Sequence, residues 1–382
     1  MNTFHFVELV ISLSFQISLI IGATWGINLL VQDERTRSRV WTGCYTTILL
    51  LVIAAVTLPH PRFLHPFRNF SNQSLITLAE VEQQGGKLMF VLWLTGAVAA
   101  IGLTSLRFWA THRFISRCQR LDEHSKQGKL LYAVLLDSTG QLGEFKIDNR
   151  RMEIRISSRI TTPFCWQFHK PYIVLPDYLI GFEPRSVLHV VRHELEHLQT
   201  GHPLQVFLQK LTGAVFWFHP FVWWARSQSD LNREFACDEA AIQSKEEIVH
   251  YLRTLLAIVE YTTAQQETFT TSLHFIRGKK AIAKRAERLV ALASDRTKKQ
   301  LSSLSATGAF VALIFTSVLV FFLWCPLNVL ASTRSSWSPW PKWSANVLHS
   351  IGISARDFEV FDQRNELKEL IEHSSDDITP AD

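Results

Sequence analysis

His193-Glu194-Leu195-Glu196-His197 sets two imidazoles four residues apart, with a carboxylate beside the first. On a helix, residues four apart share a face, so both rings can grip one metal ion. Glu194 then lies next to that ion, where a carboxylate can take a proton from the water the ion polarises. This is the least that a zinc peptidase requires. On its own the pattern is a weak signal, arising by chance with a probability of roughly a few per cent in a chain of this length. Two histidines also leave zinc short of protein ligands, since catalytic sites usually supply three and keep one position open.

The segment Asn232-Arg233-Glu234-Phe235-Ala236-Cys237-Asp238-Glu239 offers the missing donor. Glu234 and Asp238 share a helical face. One can ligate the metal while the other orients a ligating imidazole by accepting its ring N–H. Such a pair in isolation usually means a solvated acidic face; downstream of an H-E-x-x-H the ligand reading is preferred. His202 and His219 read as structural or interfacial residues rather than further ligands.

These side chains need elements to hold them. From residue 186 the pattern is helical and runs into the H-E-x-x-H segment. Upstream, residues 151–160 alternate as a half-buried strand does, and 172–175 between Pro171 and Pro176 make a second short strand. Small strands followed by a metal-binding helix suit a zincin-like α+β domain. In such a domain an edge strand can hold an extended peptide by backbone hydrogen bonds, and residues 153–160 are the candidate edge. An apolar run at 211–224, broken by His219-Pro220, comes next. It crosses a membrane, dips into one, or packs as a core hairpin near 204–225. Polar helices are expected at 230–244, 245–258 and 279–293.

The rest of the 382-residue chain points to a bilayer. Apolar runs at 6–31, 40–58, 88–109 and 304–330 each approach or exceed the roughly 18–20 residues that cross a hydrocarbon core. The first lacks a basic leader and is too long for a signal h-region, so it reads as a retained span with Glu8 near its outer end. Arg35, Arg37 and Arg39 fill the first short loop and place it inside. Basic clusters after the third span and before the last one (Arg277 to Arg288) also belong inside, which leaves both termini outside. The net charge of +5 records this bias and carries no nucleic-acid inference. The five scattered cysteines predict free thiols.

The ordered combination of His193–His197, Trp217-Phe218-His219-Pro220-Phe221-Val222-Trp223 and Arg233–Glu239 resembles the membrane zinc metallopeptidases of the BlaR/MecR antirepressor type. It is similar, more distantly, to the HtpX and CAAX-prenyl-protease group. The resemblance covers most of residues 1–330. It implies His193, His197 and Glu234 as zinc ligands, Glu194 as general base and Asp238 as the residue orienting a ligand. It also implies a multi-pass protein of the bacterial cytoplasmic membrane whose active site faces the cytoplasm, with a repressor or membrane-associated protein as substrate. Two departures stand out. His219 occupies a position that is often Asn in that family, and Gln199-Thr200-Gly201-His202 replaces its basic-then-Asp ending. The 331–382 tail is too short for the penicillin-binding sensor domain of the family's antibiotic sensors and lacks its serine motif, so direct β-lactam sensing is not expected.

The expected architecture is a mainly α membrane protein: three spans over 1–109, a cytoplasmic zincin-like (gluzincin) domain over 110–302 that includes the 204–225 hairpin, a last span at 303–330, and a short outer tail at 331–382. Within the tail, 365–371 is expected as a short helix and 374–382 as disordered. Trp337, Trp340 and Trp343 suit the headgroup level. The function expected is that of a zinc endopeptidase. Two other classes are weighed against it: a non-catalytic membrane receptor or scaffold that binds a transcriptional regulator, and a structural membrane protein whose H-E-x-x-H is accidental.

Overall fold

A computed structural model describes residues 3–64, 66–67, 69–121, 128–129, 146–147, 150–266, 272–294, 304–328, 336–338 and 340–354. The apolar N-terminal sequence forms α1 (Thr3–Leu30), and α2 (Glu34–Thr57) follows at once because the Asp33 carboxylate caps it, accepting from the Thr36 amide at 2.7 Å. The two helices pack Leu13, Ile17, Ile20 and Ile21 against Trp41, Cys44, Tyr45 and Ile48, residues repeating every three or four positions. Helix α3 (Asn72–Arg117) begins well before the apolar run at 88 and continues past its end. Much of the expected outer loop is therefore helix. Residues 72–83 hold Leu, Glu, Gln and Ala and no proline, so helix propensity extends the element where hydropathy does not.

Each of α1, α2 and α3 is long and apolar enough to cross a membrane. Leu50 and Ile53 on α2, with Val91, Leu92, Val98, Leu103 and Leu106 on α3, point outward uncovered, a jacket suited to hydrocarbon. The last apolar run is helical only over α9 (Ala306–Phe321) and continues to residue 328 without regular structure. The carbonyls that this helix end leaves free are met by α1. The Gln16 amide donates to the Val320 and Leu323 carbonyls at 3.0 and 3.1 Å, and the Ser12 hydroxyl to that of Cys325 at 3.0 Å. Glu8 is buried, accepting from the Trp324 indole at 2.6 Å with His60 and Arg62 nearby. In the tail, Trp337 bridges Pro61, and α10 (Lys342–Ser350) sends the Trp343 indole to the Val56 carbonyl. The tail segments 365–371 and 374–382 lie outside the described residues. All five cysteines are free thiols, as expected.

Beyond α3 stands a small mixed sheet of β1 (Gln119–Arg120), β4 (Glu153–Ser157), β6 (Tyr172–Pro176) and β5 (Phe164–Trp166), in that spatial order. A separate two-stranded hairpin joins β2 (Lys146–Ile147) to β3 (Arg150–Arg151). Strand β4 runs parallel to β6 and antiparallel to β1, so it lies inside the sheet. The expectation that residues 153–160 form the free edge is thus overturned. Alternation reports which face of a strand is covered, and pairing on its two sides depends on distant residues that leave no local trace. The edges are β1 at one end and β5 at the other, each paired with a single neighbour among the described residues.

Helix α4 (Pro184–Gln199) lays Val187, Val190, Val191, Leu195 and Leu198 on Ile154, Ile173 and Leu175 of the sheet. Pro184 fits its first turn, where no amide partner is needed. Gly201, at φ 70°, takes the left-handed conformation that ends the helix and turns the chain straight into α5 (His202–Val215). The expected break at His219-Pro220 separates α5 from α6 (Pro220–Ala241), which is one continuous helix from the apolar run through the acidic segment. Helices α7 (Glu247–Gln266) and α8 (Ser272–Ala293) close over its C-terminal end through Ala241, Ile248, Tyr251 and Leu289.

Candidate metal centre

The motif histidines stand one turn apart on α4 with ring centroids 5.0 Å apart. His193 is buried and His197 partly buried, and both turn Nε2 toward one carboxylate of α6: His193 Nε2 lies 3.6 Å from Glu234 Oε2, and His197 Nε2 lies 3.8 Å from Glu234 Oε1. These separations are too long for hydrogen bonds. Donors sharing one tetrahedral ion, with bonds of about 2.0–2.1 Å, stand roughly 3.4 Å apart. The three side chains therefore fit a divalent ion better than they fit one another. Cys237 Sγ also comes within 4.8 Å of a donor atom on each histidine. Glu234 is the stronger third donor, because both Nε2 atoms address it and it is charged, whereas burial pushes the Cys237 thiol well above its usual range.

Behind His193 sits a charged cluster. Asp238 Oδ1 is 3.2 Å from His193 Nδ1, and the Tyr251 hydroxyl donates to that same oxygen at 2.7 Å while lying 3.0 Å from the ring nitrogen. Arg285 of α8 donates from Nε to Asp238 Oδ2 at 2.8 Å and reaches Glu234 Oε2 at 2.9 Å. Burial works against the charge on both acids, but Arg285 and His193 more than offset it and hold Asp238 below and Glu234 well below the ordinary carboxylate range. Burial pulls His193 down as well, yet Asp238 and Glu234 prevail and lift it to about 9. His197 has no such support behind it; its Nδ1 faces His202 Nδ1 at 2.8 Å, and burial takes it down to about 3.

Glu194 is buried beside the pair, and burial chiefly raises it to about 7. It lines a cavity of about 790 Å³ together with His193, His197, Glu234 and Arg285. Opposite them stand Phe108, Phe164, Trp166, Phe168 and Phe207, so the edge strand β5 forms one wall of the cavity.

All five residues singled out in the sequence (His193, Glu194, His197, Glu234 and Asp238) meet here. Tyr251 and Arg285 were missed. Arg285 sits in a basic run whose compositional meaning is membrane orientation, and Tyr251 lies in an otherwise ordinary amphipathic helix. Neither carries a local signal. His219 is remote from the centre, bonded to the Ser14 carbonyl of α1.

Two imidazoles and a carboxylate converging in this way, with a buried acid beside them, could hold a metal ion. Residues 66–292 match the family model described as BlaR1 peptidase M56. That match covers more than half of the chain and takes in every residue placed around this centre, so the protein belongs to this metallopeptidase family. It is also similar to the regulatory protein BlaR1 of Bacillus licheniformis, with 29% identity over 112 residues. The aligned stretch is 29% of this chain and 18% of that protein, so the chain spans less than a fifth of the length of the curated relative it matches. Together with its long apolar helices, the relationship makes this a membrane protein.

Proposed function

We propose that this protein is an integral-membrane zinc endopeptidase that cleaves a cytoplasmic or membrane-associated protein in regulatory signalling, such as the inactivation of a repressor. The observation that carries the reading is the convergence of His193 Nε2, His197 Nε2 and the Glu234 carboxylate, with Glu194 buried in the same cavity. His193, His197 and Glu234 would hold the ion; when bound, it supplies Lewis acidity to a water molecule and to the peptide carbonyl.

The remaining steps belong to the chain. Glu194 accepts a proton as water attacks the carbonyl carbon, and returns that proton to the amine nitrogen as the C–N bond breaks. Asp238 and Tyr251 orient the His193 ring. The free edge of β5 receives the substrate backbone in extended form, and the aromatic wall excludes water from it. In this reading residues 110–302 form the peptidase domain on the cytoplasmic side, the spans lie in 1–109 and 303–330, and both termini are outside, because the basic clusters fall at the inner ends of the spans.

Glu194→Ala should keep the zinc and lower proteolysis at least ~100-fold, the lower end of what a general base contributes. Comparing the proteomes of cells carrying wild-type protein and this variant would identify the substrate as a protein cut only in the former. Undiminished cleavage by Glu194→Ala would reject the assigned role. Zinc bound one-to-one with every protein left intact would favour a non-catalytic receptor.

A further inference from the structure

His202 begins α5 immediately after the left-handed Gly201, and that turn carries its ring back against the H-E-x-x-H helix. The contact is on the far edge of His197 from Glu234: the two Nδ1 atoms are 2.8 Å apart, while His197 Nε2 faces the carboxylate. His202 thus stands behind a ligand and is not itself one.

The hydrogens of this contact can be assigned by following the bonds outward. A neutral imidazole that offers Nε2 to a metal keeps its proton on Nδ1. The Nδ1–H of His197 must then donate, and the atom it meets is His202 Nδ1, which must accept. Cys237 Sγ, the other neighbour of that nitrogen at 3.5 Å, is also a donor, so both neighbours ask the same of it. His202 therefore carries its own proton on Nε2, which meets the Ser38 hydroxyl at 2.9 Å. Ser38, having accepted, donates to Gln205 Oε1 at 3.2 Å. The Gln205 amide group then donates to the Ser38 carbonyl and to the Ser229 hydroxyl, both at 3.0 Å. Arg233 donates to Ser229 from the other side.

Donation runs one way from His197 through His202, Ser38 and Gln205 to Ser229. His202, Ser38, Gln205 and Ser229 are all buried, so no solvent competes for these bonds. Ser38 belongs to α2, one of the three helices apolar enough to cross a membrane, and α2 also reaches α4 directly through Arg35, which donates to buried Glu196 at 2.6 Å.

We infer that His202 is a positioning residue that fixes the tautomer and ring plane of His197 for metal binding, and that Ser38 holds His202, making α2 part of the support of the metal centre. This rests on the metallopeptidase reading and deepens it.

The test uses the full-length protein in detergent, stripped with chelator and titrated with zinc against a competing indicator, and separately with cobalt(II) read by its visible absorption. His202→Ala should weaken zinc about 10–100-fold, as loss of an outer partner of a ligating histidine typically does, and should alter the cobalt spectrum. His202→Asp, whose carboxylate can accept the same N–H, should restore most of the affinity. Ser38→Ala should weaken zinc by less than His202→Ala. If His202→Ala does not fold, the Ser38→Ala and His202→Asp titrations decide. Wild-type affinity and spectrum in His202→Ala, equal losses in His202→Ala and His202→Asp, or an unchanged Ser38→Ala would overturn the inference while leaving the peptidase reading in place. Wild-type protein that takes up neither metal would overturn both.

Discussion

His193 and His197 lie one turn apart on one helix, with little of either side chain exposed, yet the groups behind them are built on opposite principles. Behind His193 the helices α6, α7 and α8 bring two full charges, Asp238 and Arg285, with the Tyr251 hydroxyl between ring and acid. Behind His197, among the described residues, stands the neutral run through His202 to Ser38 and Gln205. Burial alone would push both imidazoles toward the neutral form. It succeeds at His197, which falls to about 3, and fails at His193, which rises to about 9. Partners, not depth, set the behaviour of each ring. The charged side belongs to the helices that follow the acidic segment, and the neutral side reaches a candidate membrane span.

Breaking the charged side should have the largest consequence. Asp238→Ala leaves the Arg285 guanidinium with Glu234 alone and removes the carboxylate acceptor of His193 in one step. Loss of one partner from a buried ion pair typically costs about 3–5 kcal/mol, so chemical or thermal unfolding of this variant should begin far earlier than in wild type. An unfolding midpoint within error of wild type would mean that Asp238 and Arg285 contribute no net pairing energy.

Arg285→Met breaks the same cluster from its cationic end. Glu234 and Asp238 are then two carboxylates facing each other with less positive charge to balance them. The metal-free protein should lose about 3 kcal/mol or more, by the same argument. A divalent ion would replace the missing charge, so added zinc should return much of the lost stability through ordinary ligand linkage. Melting curves with and without zinc make the comparison. A variant stabilised by zinc no more than wild type is would show that Arg285 and the ion do not compensate the same carboxylates.

The unequal legibility of the two sides has a physical source. His193, His197, Glu234 and Asp238 were found because each pair is four apart on a helix, so a single local rule predicts a shared face. Arg285 meets Asp238 across forty-seven positions and Ser38 meets His202 across one hundred and sixty-four, and no periodicity encodes such contacts. The helices were read correctly where hydropathy or amphipathic spacing marks them, as at α1, α2 and α4. The start of α3 was misplaced because propensity rather than apolarity extends it. The edge strand was misassigned because β4 alternates as an edge does, although β1 and β6 enclose it. Local sequence reports faces; it does not report neighbours.

The smallest expected effect is also the sharpest test of the contrast. Tyr251→Phe keeps the ring packed against Ile248 and Leu289 and deletes only the hydroxyl. That oxygen donates to Asp238 and lies within reach of His193 Nδ1, so its removal should cost about 1.5–3 kcal/mol, as for one hydrogen bond to a charged group. His193 nevertheless keeps Asp238 Oδ1 at 3.2 Å as an acceptor for its ring N–H. His197 has no comparable substitute when His202 is truncated, because its Nδ1 faces His202. Zinc affinity should therefore fall less in Tyr251→Phe than in His202→Ala, although Tyr251 touches the more highly charged side. The reverse order in a zinc titration of the two variants would show that the hydroxyl, and not the carboxylate, sets the orientation of His193.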